Sequence, residues 1–181
     1  MKRNMLISLL ENYFPVNSEE IEAKRDIINF IKKYENCFER SLAIGHITAS
    51  CWLLSKDKTK ALLMHHTKLD MWVQLGGHCD GNPDPLEVAV KEAQEESGIQ
   101  NIYPINNEIF DIDIHFIPAN SKEAGHYHYD VRFLLGVNSD EDIVRNSESK
   151  ELRWIGKEKN QLPTYSLSVV RMFNKWLENS Y

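Results

Sequence analysis

The sequence predicts a mixed α/β domain with a helical extension at its N-terminus. Three observations predict it: apolar residues recur at helical spacing before about Ser41, they alternate at strand spacing after it, and one capped helix interrupts the strands near the middle. With 181 residues, 42% of them hydrophobic and 27% charged, the chain can bury a core without staples and fits one domain with a small appendage. No internal repeat or low-complexity tract interrupts it.

Residues 1–40 read as the extension. Met5/Leu6, Leu9/Leu10 and Tyr13/Phe14 keep helical spacing until Pro15 ends the run. Asn17 and Glu20 make a capping box for a second helix, whose Ile27, Phe30, Ile31 and Tyr34 share an apolar face. The pair is expected to pack on the main domain or on another subunit, where it would serve as a homodimer contact or a lid.

Residues 41–181 read as the main domain. Strands are expected at Ile44 to Leu54, at Ala61 to His65 after the polar turn Lys56-Asp57-Lys58, and at Trp72 to Leu75, where Gly76-Gly77 ends the strand. Asp84-Pro85-Leu86-Glu87 then combines an N-cap, a proline at the first helical position and a glutamate at the third. That helix should run to about Ser97, with Gly98 as its left-handed stop. Further strands follow at Ile109 to Ile117 and Tyr127 to Val137, joined by the polar loop Asn120 to Gly125, and a short one at Leu152 to Ile155. Leu167, Val170, Phe173 and Leu177 give the closing helix an apolar stripe.

A net charge of -6 argues against general nucleic-acid binding, which relies on a basic face. The three cysteines, Cys37, Cys51 and Cys79, form neither a CxxC pair nor an even framework, which points to the reducing cytoplasm. The apolar stretch after the basic start stops at Leu10, too short for a signal segment, and no run reaches the length of a membrane span.

Within the embedded helix, Glu92, Glu95 and Glu96 sit at i, i+3 and i+4, so three carboxylates share one face. Taken alone, such a face is more often a solvated surface than a metal site. Three like charges on adjacent turns nevertheless repel unless a cation gathers them, and all-oxygen donors suit magnesium or manganese. A Gly-Gly turn before the helix and Ser97-Gly98-Ile99 after it supply the context that favours the metal reading.

The stretch from Gly77 to Ile99 resembles the Nudix box, GX5EX7REUXEEXGU, where U is aliphatic. Gly77, Glu92, Ala93, Glu95, Glu96, Gly98 and Ile99 fall at matching positions, whereas Pro83 stands in place of the first Glu and Lys91 in place of Arg. The resemblance implies a Nudix-type α/β/α sandwich with a mixed sheet, and a pyrophosphohydrolase acting on a nucleoside diphosphate linked to another group. It further implies that Glu92, Glu95 and Glu96 hold Mg2+ or Mn2+ with help from a carbonyl of Gly76 or Gly77, that Glu95 takes the water proton, and that Lys91 belongs to the catalytic set. Glu87 is a poor substitute for the missing acid, being about 140° around the helix from Glu92; Lys91, four residues on, is its expected partner.

The later strands carry polar faces. Asp111, Asp113 and His115 share one face, and His126, His128, Asp130 and Arg132 share one face of the next strand, while Ile112, Ile114, Phe116, Tyr127, Tyr129, Val131 and Phe133 form apolar, buried opposite sides. If these strands are neighbours, the polar sets join His46, Thr48 and Ser50 in one substrate wall. There Arg132 would meet a phosphate, and His46, Asp113, His115, His126, His128 and Asp130 would meet base or ribose. His78 would touch phosphate. Cys79 is set aside as a ligand because hard metals avoid thiolate, His65-His66 reads as a strand end, and Trp72 as core.

Two other functions stay open on the sequence alone. A Nudix-fold module that binds a nucleotide without cleaving it is favoured by Pro83 and Lys91 and disfavoured by the intact glutamates. Isomerisation of an isoprenyl diphosphate would need a catalytic Cys and Glu in settings not found here. Among pyrophosphohydrolase substrates, mutagenic nucleotides, dinucleoside polyphosphates, coenzymes and CDP-alcohols all stay open.

Overall fold

In the computed structural model, residues 2–119, 121, 124–179 and 181 are described. Met1, Ser180 and, within the loop predicted over Asn120 to Gly125, Asn120, Lys122 and Glu123 lie outside them.

Helix α1 covers Lys2–Asn12 and α2 covers Ser18–Lys33. Pro15 stops α1 as expected, and its open C-terminal carbonyls are met from α2, where Lys24 Nζ donates to Glu11 O at 2.9 Å and Tyr13 O at 2.8 Å. Half of the predicted capping box forms: Asn17 Oδ1 accepts from Glu20 N at 2.9 Å. The Glu20 carboxylate accepts from Val16 N and the Tyr13 hydroxyl instead of returning to Asn17, and is buried.

The strands are β1 (Gly45–Leu54), β2 (Ala61–His66), β3 (Met71–Val73), β4 (Leu75–His78), β5 (Ile102–Ile117), β6 (His126–Val137) and β7 (Ser149–Ile155). Helix α3 (Pro85–Ser97) lies between β4 and β5, and α4 (Leu167–Glu178) closes the chain. They form one mixed seven-stranded sheet in the order β3-β2-β1-β6-β5, with β4 also on β1 and β7 also on β2. Strand β1 runs parallel to β6 along its whole length, and its other edge is shared antiparallel by β4 and then β2. Every residue of β1 is buried, as befits a central strand covered on both faces.

Two apolar clusters fill the two sides of the sheet. Ile47, Ala49, Cys51, Val131 and Phe133 pack with Leu6, Leu10, Ile27, Phe30 and Ile31 of the first helices and with Ala89 and Ala93 of α3. Trp52, Leu54, Leu134 and Ile155 pack with Val169, Met172, Phe173 and Trp176 of α4. The result is an α/β/α sandwich whose N-terminal helices share the core of the sheet. Among the described residues no helix is long and apolar enough to cross a membrane.

Four expectations are corrected. Gly76 and Gly77 do not end a strand but lie inside β4, paired with Ser50 and Ala49, and the break falls at Gln74. The buried stripe of α4 is Val169, Met172, Phe173 and Trp176, at i, i+3, i+4 and i+7, which leaves Leu167 roughly on the opposite side and 76% exposed. Strand β5 begins at Ile102, and β7 at Ser149, each several residues earlier than the alternation suggests. Phe116 and Tyr127 are 53% and 44% exposed because the helical cover stops at Tyr129, on which Phe30 stacks with ring centroids 3.9 Å apart.

Candidate metal-binding active site

The glutamates are placed by a helix fixed at both ends. Asp84 Oδ1 accepts from Leu86 N and Glu87 N, both at 3.1 Å, with Pro85 at the first helical position. Gly98, at φ 77°, closes the helix with its N–H on Gln94 O at 2.9 Å. Asn82 receives the Asp84 N–H at 3.0 Å and donates to Glu87 at 3.2 Å, so the expected Glu87–Lys91 pair does not form.

Strand β4 passes directly beneath this helix. Gly76 lies at φ 153°, where a Cβ would meet Ser50 Cα at 2.5 Å, and its N–H donates to Glu96 Oε2 at 2.8 Å. At Gly77 a Cβ would lie 2.5 Å from Glu92 Oε2, so the glycine creates the room that the Glu92 carboxylate occupies. Glu96 is only 2% exposed, and burial pushes its carboxyl up to about 8 against the opposing pull of the Gly76 N–H. Burial also raises Glu92. Glu95 is largely exposed and pairs with Lys91 Nζ at 3.2 Å, which stands 3.8 Å from Glu92.

The donors are therefore oxygens, two of the three acids are held from water without a buried counter-charge, and a glycine keeps the approach open. Such a set fits a hard divalent cation. The three carboxylates do not converge on a common point: among the described residues only His46, His78 and His128 bring three ligand atoms within 4.8 Å of one another. A fourth acid that the box does not announce is Glu148, on the loop before β7, whose charge raises both Glu92 and Glu96. No sequence signal marks it, because its nearness depends on how that loop returns over α3, where Asn146 Nδ2 donates to Glu95 O at 3.4 Å.

On the opposite face, register brings the polar residues together. His46, Thr48 and Ser50 lie beside His128, Asp130 and Arg132, and Asp111, Asp113 and His115 lie beside Arg132, Asp130 and His128. The one surface expected from alternation thus forms, but it is divided. At its centre Arg132 is 1% exposed, with Nε 2.7 Å from Asp130, Nη1 2.9 Å from Asp111 and Nη2 3.3 Å from Asp113. Its fork is filled by carboxylates, so the structure does not offer it to a phosphate as the sequence suggested. Asp130 also accepts from Thr48 at 2.9 Å and Ser50 at 2.8 Å.

Helix α4 closes over this centre. Arg171 reaches Asp111 at 2.9 Å and Asp113 at 3.2 Å, and Lys175 Nζ reaches Asp111 at 2.7 Å, Glu20 at 2.9 Å and the Tyr13 hydroxyl at 2.6 Å. Despite burial, the surrounding cations hold Asp111 and Asp113 below the usual carboxylate range. Alternation in β5 and β6 could not reveal these partners, which come from the two ends of the chain.

Beyond the acids, the same face ends in imidazoles. His46 is 2% exposed, and its ring lies with centroids 4.9 Å from both His78 and His128 and 5.0 Å from His126. His128 Nε2 stands 3.3 Å from His78 Nε2 and 3.2 Å from His126 Nε2. Burial and the neighbouring rings lower His46 to about 4 and His128 to about 2. His115 Nδ1 lies 3.3 Å from Asp113. Cys79 is buried and its thiol is pushed well up by burial, while His65 stacks on Trp72 at 5.2 Å at the end of β2.

A model of the NUDIX domain matches residues 45–174. No curated protein sequence matches the chain. Among solved structures, a NUDIX-family hydrolase from Clostridium perfringens is 26% identical with a TM-score of 0.52, covering 72% of this chain and 95% of its own. An Ap4A hydrolase from C. elegans, in a binary complex, is 18% identical with a TM-score of 0.57, covering 72% and 93%. A UDP-X diphosphatase is 14% identical with a TM-score of 0.54, and that match covers 97% of this chain and 92% of its own.

Proposed function

The chain belongs to the Nudix family of pyrophosphohydrolases, and from that premise we propose that it hydrolyses the diphosphate of a nucleoside diphosphate linked to a small group, with Mg2+ or Mn2+ held by Glu92, Glu95 and Glu96. The observation that carries this reading is the pair of carboxylates held from water against β4: Glu96 on the Gly76 N–H and Glu92 in the space that Gly77 leaves. The structural relatives named as an Ap4A hydrolase and a UDP-X diphosphatase support a nucleotide-linked substrate.

When bound, the metal would neutralise diphosphate oxygens and lower the pKa of a bound water, so that the hydroxide left once the proton is removed could attack phosphorus. The chain's own residues supply position. Glu96 is fixed by one backbone N–H and by burial, and Glu92 is confined against β4. We assign a carbonyl of Gly76 or Gly77, in the strand against which this pair is held, to complete the set. Glu95, the most exposed of the three, is the group we assign to take the water proton, and Lys91 steers it through their 3.2 Å contact.

Incubating the protein with a panel of diphosphate-linked nucleotides tests the proposal. Nucleoside monophosphate should appear only with Mg2+ or Mn2+ and should be lost in Glu96→Gln. Tight binding of a nucleotide with no turnover by the unaltered chain would instead identify the non-catalytic module that Pro83 and Lys91 favour.

A further inference from the structure

The imidazoles at the end of the β1–β6 face are not used by the glutamate chemistry. His78 follows Gly77 in β4 and therefore points to the other side of the sheet from Glu92. From the geometry we infer that His46, His78 and His128 form a second metal site, selective for a borderline-soft ion of the zinc class and separate from the glutamate site.

Distance is the first argument. Their ligand atoms all lie within 4.8 Å of one another. Zinc–imidazole bonds of about 2.0–2.1 Å in a tetrahedral site place neighbouring nitrogens about 3.3 Å apart. His78 Nε2 and His128 Nε2 already stand 3.3 Å apart.

Proton accounting is the second. His126 Nδ1 lies 2.9 Å from Ala124 O, which can only accept, so Nδ1 carries the proton and Nε2 of the neutral ring carries the lone pair. That lone pair faces His128 Nε2 at 3.2 Å, while His78 Nε2 faces the same atom at 3.3 Å. One nitrogen of His128 cannot aim its single proton at both neighbours, so one nitrogen–nitrogen contact stays unfulfilled. A cation that accepts the lone pairs resolves the conflict.

The third is His46. Its two ring nitrogens are buried and have no hydrogen-bond partner among the described residues, although buried polar groups are nearly always satisfied. Imidazole donors favour zinc, copper, nickel and iron over magnesium. Three of them leave a fourth position, to which His126 is the adjacent side chain.

This inference does not depend on the reading of the glutamates, and its test reads metal content rather than turnover. The whole protein, stripped with a chelator, is dialysed against zinc and, separately, cobalt(II), and then desalted. One equivalent of zinc should be retained, cobalt should give the visible bands of a tetrahedral nitrogen site, and excess magnesium should displace neither. In His78→Ala and His128→Gln, with circular dichroism confirming the fold, zinc affinity should fall at least about tenfold, the loss typical even of outer-shell changes. A triple Glu92→Gln, Glu95→Gln, Glu96→Gln variant should retain its zinc. No retained zinc in the unaltered protein, unchanged affinity in both histidine variants, or loss in the glutamate variant would each overturn the site.

Discussion

Glu96 and Asp111 are equally hidden carboxylates, 2% and 0% exposed, serving opposite faces of one sheet. Asp111 is met by Arg132, Arg171 and Lys175, and its carboxyl lies below the usual range. Glu96 is met by one backbone N–H and otherwise by other acids, and its carboxyl is raised to about 8. Burial is common to both, so the presence of cations decides the sign. A buried acid whose counter-charges are built in holds the fold together. One left without them is the place we propose for the metal.

The largest test of that contrast removes a compensated acid. Asp111→Ala leaves two arginines and a lysine short of their shared partner, and breaking a buried ion pair costs about 3–5 kcal/mol. For a chain of this size that corresponds to a fall in Tm of roughly 10 °C, read by calorimetry. Turnover per folded molecule should not change, and a selective loss of turnover at unchanged Tm would reverse the assignment.

Glu96→Gln is the opposite case. Turnover should drop by about 10²–10³-fold, in the range of removing one preorganised electrostatic group. Thermal stability in chelator at pH 7 should be equal or higher, because the buried carboxyl must take up a proton on folding and the amide need not. A drop in Tm matching that of Asp111→Ala would show that Glu96 is a structural acid after all.

Acid titration separates the compensated acids from the buried imidazoles without mutation. Asp111 and Asp113 have folded values below their ordinary 3.8. The unfolded chain therefore binds more protons, and their stabilisation is complete above about pH 4 and lost as the pH falls further. His46, lowered to about 4 from 6.5, adds loss that begins earlier, below pH 6.5. Chemical denaturation in chelator between pH 7 and pH 3 should show both phases. His46→Gln should weaken the earlier phase, to which the lowered His128 and His66 also contribute, and leave the later one.

The contrast also explains what the sequence could disclose. Spacing alone located α3, its Asp84 cap, its Gly98 stop and the face bearing Glu92, Glu95 and Glu96, because these are local matters of helical geometry. Alternation also puts His46, Thr48 and Ser50 on one side of β1, and the pairing of β1 with β6 is what sets them beside His128, Asp130 and Arg132. Alternation does not tell what lies above that side. Arg132 reads as a phosphate ligand because alternation puts it on the same side as Asp111, Asp113 and Asp130 without telling that these carboxylates fill its fork. Glu20 was hidden in the same way by its expected role in a capping box. A glycine pair in a sequence reads as a turn, whereas Gly76-Gly77 inside β4 lets strand and carboxylate approach.

An intermediate effect is expected at Gly77. Its φ is not in the left-handed region, so alanine is tolerated by the backbone, but the added carbon would displace the Glu92 carboxylate. Gly77→Ala should lower apparent metal affinity about 10–100-fold, as disturbing the shell that orients a ligand does. Titrating manganese against turnover, with Tm as control, reads it directly.

The smallest effect concerns Lys91, which holds Glu95 at 3.2 Å and stands 3.8 Å from Glu92. An ammonium is a single point of charge and cannot fix the orientation of either acid, whereas a guanidinium presents two parallel donors. Lys91 is 62% exposed on its side chain, so water screens the pair and little stability is at stake. Lys91→Arg should therefore leave Tm unchanged and shift the half-saturating manganese concentration by about twofold, the scale of one exposed helical ion pair. A shift toward tighter binding would mean that orientation limits this site. A shift toward weaker binding would mean that the cation competes with the metal for Glu95, and that the lysine is what leaves that carboxylate free to exchange.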